Sequence, residues 1–125
     1  MNSFKNFVNL YEHKDIIDKF VNTCKHDLNI QSPCDIGFVD EPDDDMTTGC
    51  FSPVNREIKI MTKNRALVDI LRSVAHELVH AKQHEDGRLK PDSGDDGSPI
   101  ENEANSLAGV IMRRFQRANR DIYAG

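Results

Sequence analysis

NRALVDILRSVAHELVHAKQHE, residues 64–85, is the stretch on which the fold turns. Leu67, Ile70, Leu71, Val74, Leu78 and Ala81 recur at intervals of three and four, the period of an amphipathic helix. At ~100° per residue, the midpoint of His76 and His80 falls roughly 180° from the centre of that stripe. One side of this helix is therefore expected to pack on a core, and the other to present two imidazoles, one turn apart, to a cleft.

Upstream of this helix, Thr47 to Phe51 and Arg56 to Met61 read as two strands joined by the turn Ser52-Pro53-Val54-Asn55. Cys34, Ile36 and Phe38 alternate with Asp35, Gly37 and Val39 as a further short strand, followed by the acidic loop EPDDD at 41–45. Residues 3–28 carry two helical stripes, Phe4, Phe7, Val8 and Tyr11, then Ile17, Phe20, Val21, Cys24 and Leu28. The phase slips near Glu12–Lys14 and predicts a break there. Downstream, the Gly-, Asp- and Pro-rich DGRLKPDSGDDG reads as a loop, and Ser98-Pro99 opens a last helix running to about Arg120. The expected fold class is α+β: a small antiparallel sheet packed with an N-terminal helical region, a central helix and a C-terminal helix, in one domain over residues 1–125.

A chain of 125 residues builds one core, which excludes a large two-lobed enzyme. Residues 1–50 carry 4 basic against 10 acidic side chains, and 51–125 carry 12 against 11, so no broad nucleic-acid footprint is expected. Arg113, Arg114, Arg117 and Arg120 read as the solvated face of the last helix. The start, MNSFKNFVNLYEHKD, lacks the pattern of a signal peptide, and no stretch approaches a membrane span, so a cytoplasmic protein is expected. Cys24, Cys34 and Cys50 are odd in number and lack a C-x-x-C spacing, which predicts reduced, mostly buried thiols.

His76 and His80, four apart, can reach one metal ion. A catalytic zinc takes three protein ligands and keeps a fourth position for water, so a third ligand must come from elsewhere. His84 lies ~12 Å along the helix from His76, too far to share an ion, and is expected at the surface. In IENEAN, residues 100–105, Glu101 and Asn105 share a face bordering the apolar stripe of Ile100, Ala104, Leu107, Ala108, Ile111 and Phe115. Glu103 is rotated ~160° from Glu101 and groups with Arg114 and Arg117, facing water. Helical phase thus selects Glu101 as third ligand, with Asn105 placed to hold the free ring nitrogen of a ligating histidine. Against this, Ser98-Pro99-Ile100-Glu101 is also a capping box, in which Glu101 would only reach back to the cap.

These two motifs resemble those of the gluzincin-type zinc metallopeptidases: HELVH is similar to the family's HExxH helix, and ENEAN to its E-x-x-A-D/N helix. The resemblance implies a minimal zincin-like fold and one zinc ion per chain, bound by His76, His80 and Glu101, with Glu77 as general base. TTGCFSPVNREIKIM, residues 47–61, is similar to the edge-strand element that precedes the HExxH helix in small members. The likeness covers roughly residues 47–115 and is greatest to compact, single-lobed phage and bacterial proteases of the ImmA/IrrE-like kind and to the protease core of the SprT-like group. It implies an endopeptidase acting on a protein or peptide, the substrate pairing with an edge strand in 47–52.

A rival from another class is a non-catalytic, zinc-stabilised module that binds a phage or host protein. The lack of a second lobe and of an identifiable oxyanion-stabilising Tyr or His favours it, whereas Glu77, which a structural site does not require, speaks against it. A SprT-like role in DNA–protein crosslink repair is weakened by the acidic charge and the lack of a zinc ribbon or basic arm. Residues 92–103 also fall in a calcium-loop frame, but Gly94 stands at its third position and Pro99 at its eighth, against that assignment.

Overall fold

A computed structural model of the chain describes residues 13–40, 48–89 and 98–120. The architecture is α+β, with helix α1 (Lys14–Asp27), strands β1 (Asp35–Val39), β2 (Gly49–Ser52) and β3 (Glu57–Met61), then helices α2 (Leu67–Glu85) and α3 (Pro99–Ala118). The expected stripe over residues 3–12 and the acidic loop at 41–45 lie outside the described residues. α1 starts just after His13, where the helical phase slips, and buries Ile16, Ile17, Phe20 and Cys24. It stops because Asn29 takes a left-handed conformation, φ 56°, that turns Ile30 N–H back onto the Lys25 carbonyl at 3.0 Å.

The sheet order is β1-β3-β2. β2 and β3 form the expected antiparallel hairpin, with Cys50 opposite Lys59 and Phe51 opposite Ile58. The expectation of a wholly antiparallel sheet is corrected: β1 pairs with β3 in parallel, Ile36 beside Ile58 and Phe38 beside Ile60. The reason is burial. Ile58 and Ile60 are wholly inaccessible and Lys59 points outward, so β3 takes the centre of the sheet. With β3 between them, β1 and β2 cannot be neighbours, and β1 meets the strand that runs its own way.

α2 is the central helix. Of the stripe expected to face the core, Ile70, Leu71, Val74, Leu78 and Ala81 are fully buried, and Leu67, at the start of the helix, is partly buried against them. Ser73, Ala75, Val79 and Gln83 are buried as well, because α3 covers a flank that the stripe leaves out. α3 buries Ala104, Ala108, Ile111, Met112 and Phe115, while Leu107, expected on that stripe, is exposed. Phe115 meets Phe20 edge to face with ring centroids 4.9 Å apart, joining the first and last described helices. Arg113, Arg114, Arg117 and Arg120 are exposed, as their spacing predicts. Cys24 and Cys34 are buried and Cys50 is exposed on β2, so the thiols are mostly buried, as expected. No helix among the described residues is long and apolar enough to cross a membrane.

Two devices at the ends of α2 shape what lies beside it. At its start Arg65 donates to the Met61 carbonyl at 2.9 Å, the Thr48 carbonyl at 3.2 Å and Ser73 Oγ at 2.7 Å, holding β2 against the first turns. At its end Gly87, φ 73°, reverses the chain, and Arg88 N–H closes on the Gln83 carbonyl at 2.8 Å.

Candidate metal centre

His76 and His80 project from α2 toward the first turn of α3, where Glu101 stands. Ser98 caps that helix, its hydroxyl accepting from Glu101 N–H at 3.2 Å. The cap engages the backbone of Glu101, and its carboxylate lies on the histidines: Oε1 is 3.0 Å from His76 Nε2, and Oε2 is 3.1 Å from His80 Nε2. The Ser98 half of the capping box is therefore present, while the Glu101 carboxylate, which the capping reading sent back to the cap, lies on the histidines. His76 Nε2 and His80 Nε2 are 3.2 Å apart. The ligand atoms of His76, His80 and Glu101 all lie within 4.8 Å of one another, so this group can hold a metal ion.

The donor set suits zinc in number, type and spacing. A tetrahedral zinc with bonds of about 2.0–2.1 Å separates its ligand atoms by about 3.3 Å, close to the separations found here. Two imidazoles and one carboxylate leave a fourth position on the open side. That side is a cleft of about 1160 Å³, with Glu77, Asn105 and residues Thr48–Phe51 also on its walls.

The cleft has a direction. β2 runs along α2 from the Arg65 contact at Thr48, past Glu77 beside Gly49, to Phe51, whose ring centroid is 5.7 Å from that of His84. One end is polar, with Asp69, Arg72 and Ser73, and the other holds Phe51, Pro53 and Leu89. β2 is an end strand of the sheet, bonded to β3 alone among the described strands.

Glu77 is 7 % exposed, and burial lifts its carboxyl to about 7; Glu101 acts in the same direction and His80 against it. Burial also pulls the His76 imidazole below its ordinary value, as does His80, while Glu101 and a hydrogen bond with Asn105 oppose this. Asn105 thus lies close enough to act on the His76 ring.

Two expectations are corrected. His84 is half-buried rather than at the surface: Arg56 Nη1 donates to its Nδ1 at 2.9 Å, which turns it toward the hairpin and out of the metal group. Glu103 does not simply face water with Arg114 and Arg117. It takes both Arg88 Nη atoms, at 2.8 and 2.9 Å, and accepts from Gln83 Nε2 at 3.0 Å. Glu103 would be the twelfth position of the calcium frame, and this pairing commits it elsewhere.

Gln83 is the residue that periodicity missed. It is 1 % exposed, and its Oε1 lies 2.8 Å from His80 Nδ1. Its signal is a polar residue three positions after a ligating histidine, on the same face, where a long side chain reaches the ring.

Comparison of the chain with protein-family models, with curated proteins and with solved structures finds no match.

Proposed function

We propose that this chain is a zinc-dependent endopeptidase of the gluzincin type, hydrolysing peptide bonds of a protein or peptide substrate. The observation that carries the reading is the convergence of His76, His80 and Glu101 on one point beside a buried Glu77, at the wall of a cleft edged by a strand. A zinc ion held by His76, His80 and Glu101 would supply Lewis-acid chemistry to the scissile carbonyl and would acidify a water beside it toward ~7. Glu77 takes the proton of the attacking water and passes it to the leaving amine. A carboxyl lifted toward neutrality is suited to both halves of that transfer. β2, the end strand of the sheet among the described strands, would offer main-chain hydrogen bonds to an extended peptide, so the substrate backbone would lie along the cleft over the metal ligands. A cytoplasmic setting belongs to the same proposal and accords with the odd number of cysteines.

Glu77→Gln decides the matter. The amide keeps shape and size but cannot take the proton, so this variant should bind one zinc per chain and lose peptide cleavage. Undiminished cleavage by Glu77→Gln would refute the assigned base. A zinc-bound wild type that cleaves nothing in a proteome-derived peptide library would replace the enzyme with a binding module.

A further inference from the structure

The two glutamates of ENEAN stand on different sides of α3, yet the contacts of both lead to the same histidine. Glu101 touches His80 at Nε2. Glu103 reaches the other ring nitrogen through one intermediary, because Gln83 Nε2 donates to Glu103 Oε1 at 3.0 Å while Gln83 Oε1 meets His80 Nδ1 at 2.8 Å.

The orientation of the Gln83 amide follows from its neighbours. Its nitrogen has the Ile100 carbonyl at 3.1 Å and the Glu103 carboxylate at 3.0 Å, both of them pure acceptors. A flipped amide would set oxygen against oxygen at both places. With the oxygen therefore toward His80, Nδ1 must carry the hydrogen; the neutral ring then keeps its lone pair on Nε2, 3.1 Å from the Glu101 carboxylate, an acceptor-to-acceptor approach that a cation between the two would relieve. Glu103 is itself held by the two-pronged Arg88 guanidinium, and Arg88 stands there because Gly87 turns the chain back at the end of α2.

We infer that Gln83 is a positioning residue that locks His80 in the Nδ1–H tautomer, the form able to bind metal through Nε2, and that Glu103, clasped by Arg88, keeps Gln83 in place. The inference rests on the metal centre proposed above and adds two residues to it. In water a free imidazole prefers to carry its hydrogen on Nε2, so a ring without this acceptor must be re-tautomerised before it can ligate. Such supporting groups change metal affinity ~10–100-fold.

The first test uses metal-free wild type labelled with 15N-histidine, in alkaline buffer, with long-range nitrogen–proton correlations and the His80 signals assigned from their loss in His80→Ala. His80 should be Nδ1–H in the wild type and shift toward Nε2–H in Gln83→Met. The second is zinc affinity by competition with a chelator. Gln83→Met should bind zinc ~10–100-fold more weakly. Glu103→Met should lose affinity in the same direction by less, and Glu103→Gln, which keeps an acceptor for Gln83, should return close to wild type. A purely structural Arg88–Glu103 ion pair would instead be broken equally by Gln and by Met, with stability falling and zinc affinity unmoved. Nε2–H at His80 in the wild type would overturn the inference, as would wild-type tautomer and affinity in Gln83→Met. If Gln83→Met does not fold, the half-exposed Glu103 variants decide by the same ranking. A wild type without zinc affinity would sink the metal centre alone, while an Nδ1–H His80 in that protein would still support the hold of Gln83 on the ring.

Discussion

Glu101 Oε1 lies 3.0 Å from His76 Nε2, although the two residues stand on different helices, and the peptide N–H of the same Glu101 is bonded to Ser98 Oγ. Backbone and side chain of one residue thus belong to a helix cap and to the proposed metal site, and mutation can separate them. Ser98→Ala removes the cap and should lower stability by about 1 kcal/mol with zinc content unchanged. Glu101→Gln leaves the cap but removes the anionic ligand, and should strip zinc at chelator concentrations the wild type withstands. His76→Ala should bring the metal-to-protein ratio near zero. Metal analysis alongside thermal melts reads both effects, and near-wild-type zinc in either ligand variant would contradict the site.

Gly49 lies on β2 beside Glu77. A Cβ there would stand 2.9 Å from Ile60 Cδ1, 3.2 Å from the Lys59 carbonyl oxygen and 3.5 Å from Glu77 Cγ. Ile60 can turn its methyl aside, but the carbonyl is backbone and fixed by the ladder. Gly49→Val should therefore cost about 1–3 kcal/mol by overpacking. Its branch would also press on the proposed base, so peptide cleavage should fall while zinc content, read by metal analysis, stays at one per chain. Wild-type cleavage in Gly49→Val would mean that β2 and Glu77 are less tightly apposed than described.

Much of this was legible in the sequence because it is local. The helical phase of residues 64–85 placed both histidines on one face, and the phase of residues 98–120 separated Glu101 from Glu103. The hairpin announced itself through Ser52-Pro53-Val54-Asn55. What escaped depends on contacts between distant segments. Parallel pairing of β1 with β3 follows from which strand is most buried, and neither strand encodes its neighbour. Glu103 reads as solvent-facing until the reversal at Gly87 brings Arg88 across to it. Gln83, buried beneath α3, has the same composition and spacing as a surface glutamine of a solvated helix. Likewise, nothing local in His84 reveals the Arg56 guanidinium that engages its ring.

Glu85 ties the end of α2 to the loop after α1. Its carboxylate accepts from Ser32 N–H at 2.6 Å and Gln31 N–H at 2.9 Å, and from Lys82 Nζ at 3.2 Å. These bonds, the Ser32 amide foremost, hold its carboxyl down at about 2 against an ordinary 4.5. Because the folded value lies below the unfolded one, the contribution is complete above pH 4.5 and is lost as pH falls toward 2. Glu85→Gln should be less stable than wild type by about 1–3 kcal/mol at neutral pH. The gap should close in acid, which urea titrations across that range would reveal, and a gap constant with pH would refute the role of its charge.

Glu77 has the opposite sign. Burial raises its folded carboxyl to about 7 from 4.5, so below pH 4.5 both states are protonated and the residue contributes nothing to pH dependence. Between those values the unfolded chain has released the proton and the folded chain still holds it, so stability falls as pH rises, and above about 7 the loss is complete. The shift corresponds to about 3 kcal/mol. His76, whose imidazole burial depresses, gains stability as pH rises and partly masks this slope in the wild type alone. The difference between wild type and Glu77→Gln removes the mask. Metal-free Glu77→Gln should gain stability over metal-free wild type on going from about pH 5 to about pH 8, by an amount of the order of that shift. A cation at His76, His80 and Glu101 favours the ionised carboxylate, so saturating zinc should shrink the pH-dependent gap. Urea unfolding of both proteins at the two pH values, with and without zinc, gives the eight stabilities needed. A gap that is independent of pH in the metal-free pair would show that Glu77 ionises as an ordinary carboxylate and would remove the physical basis for its role as base.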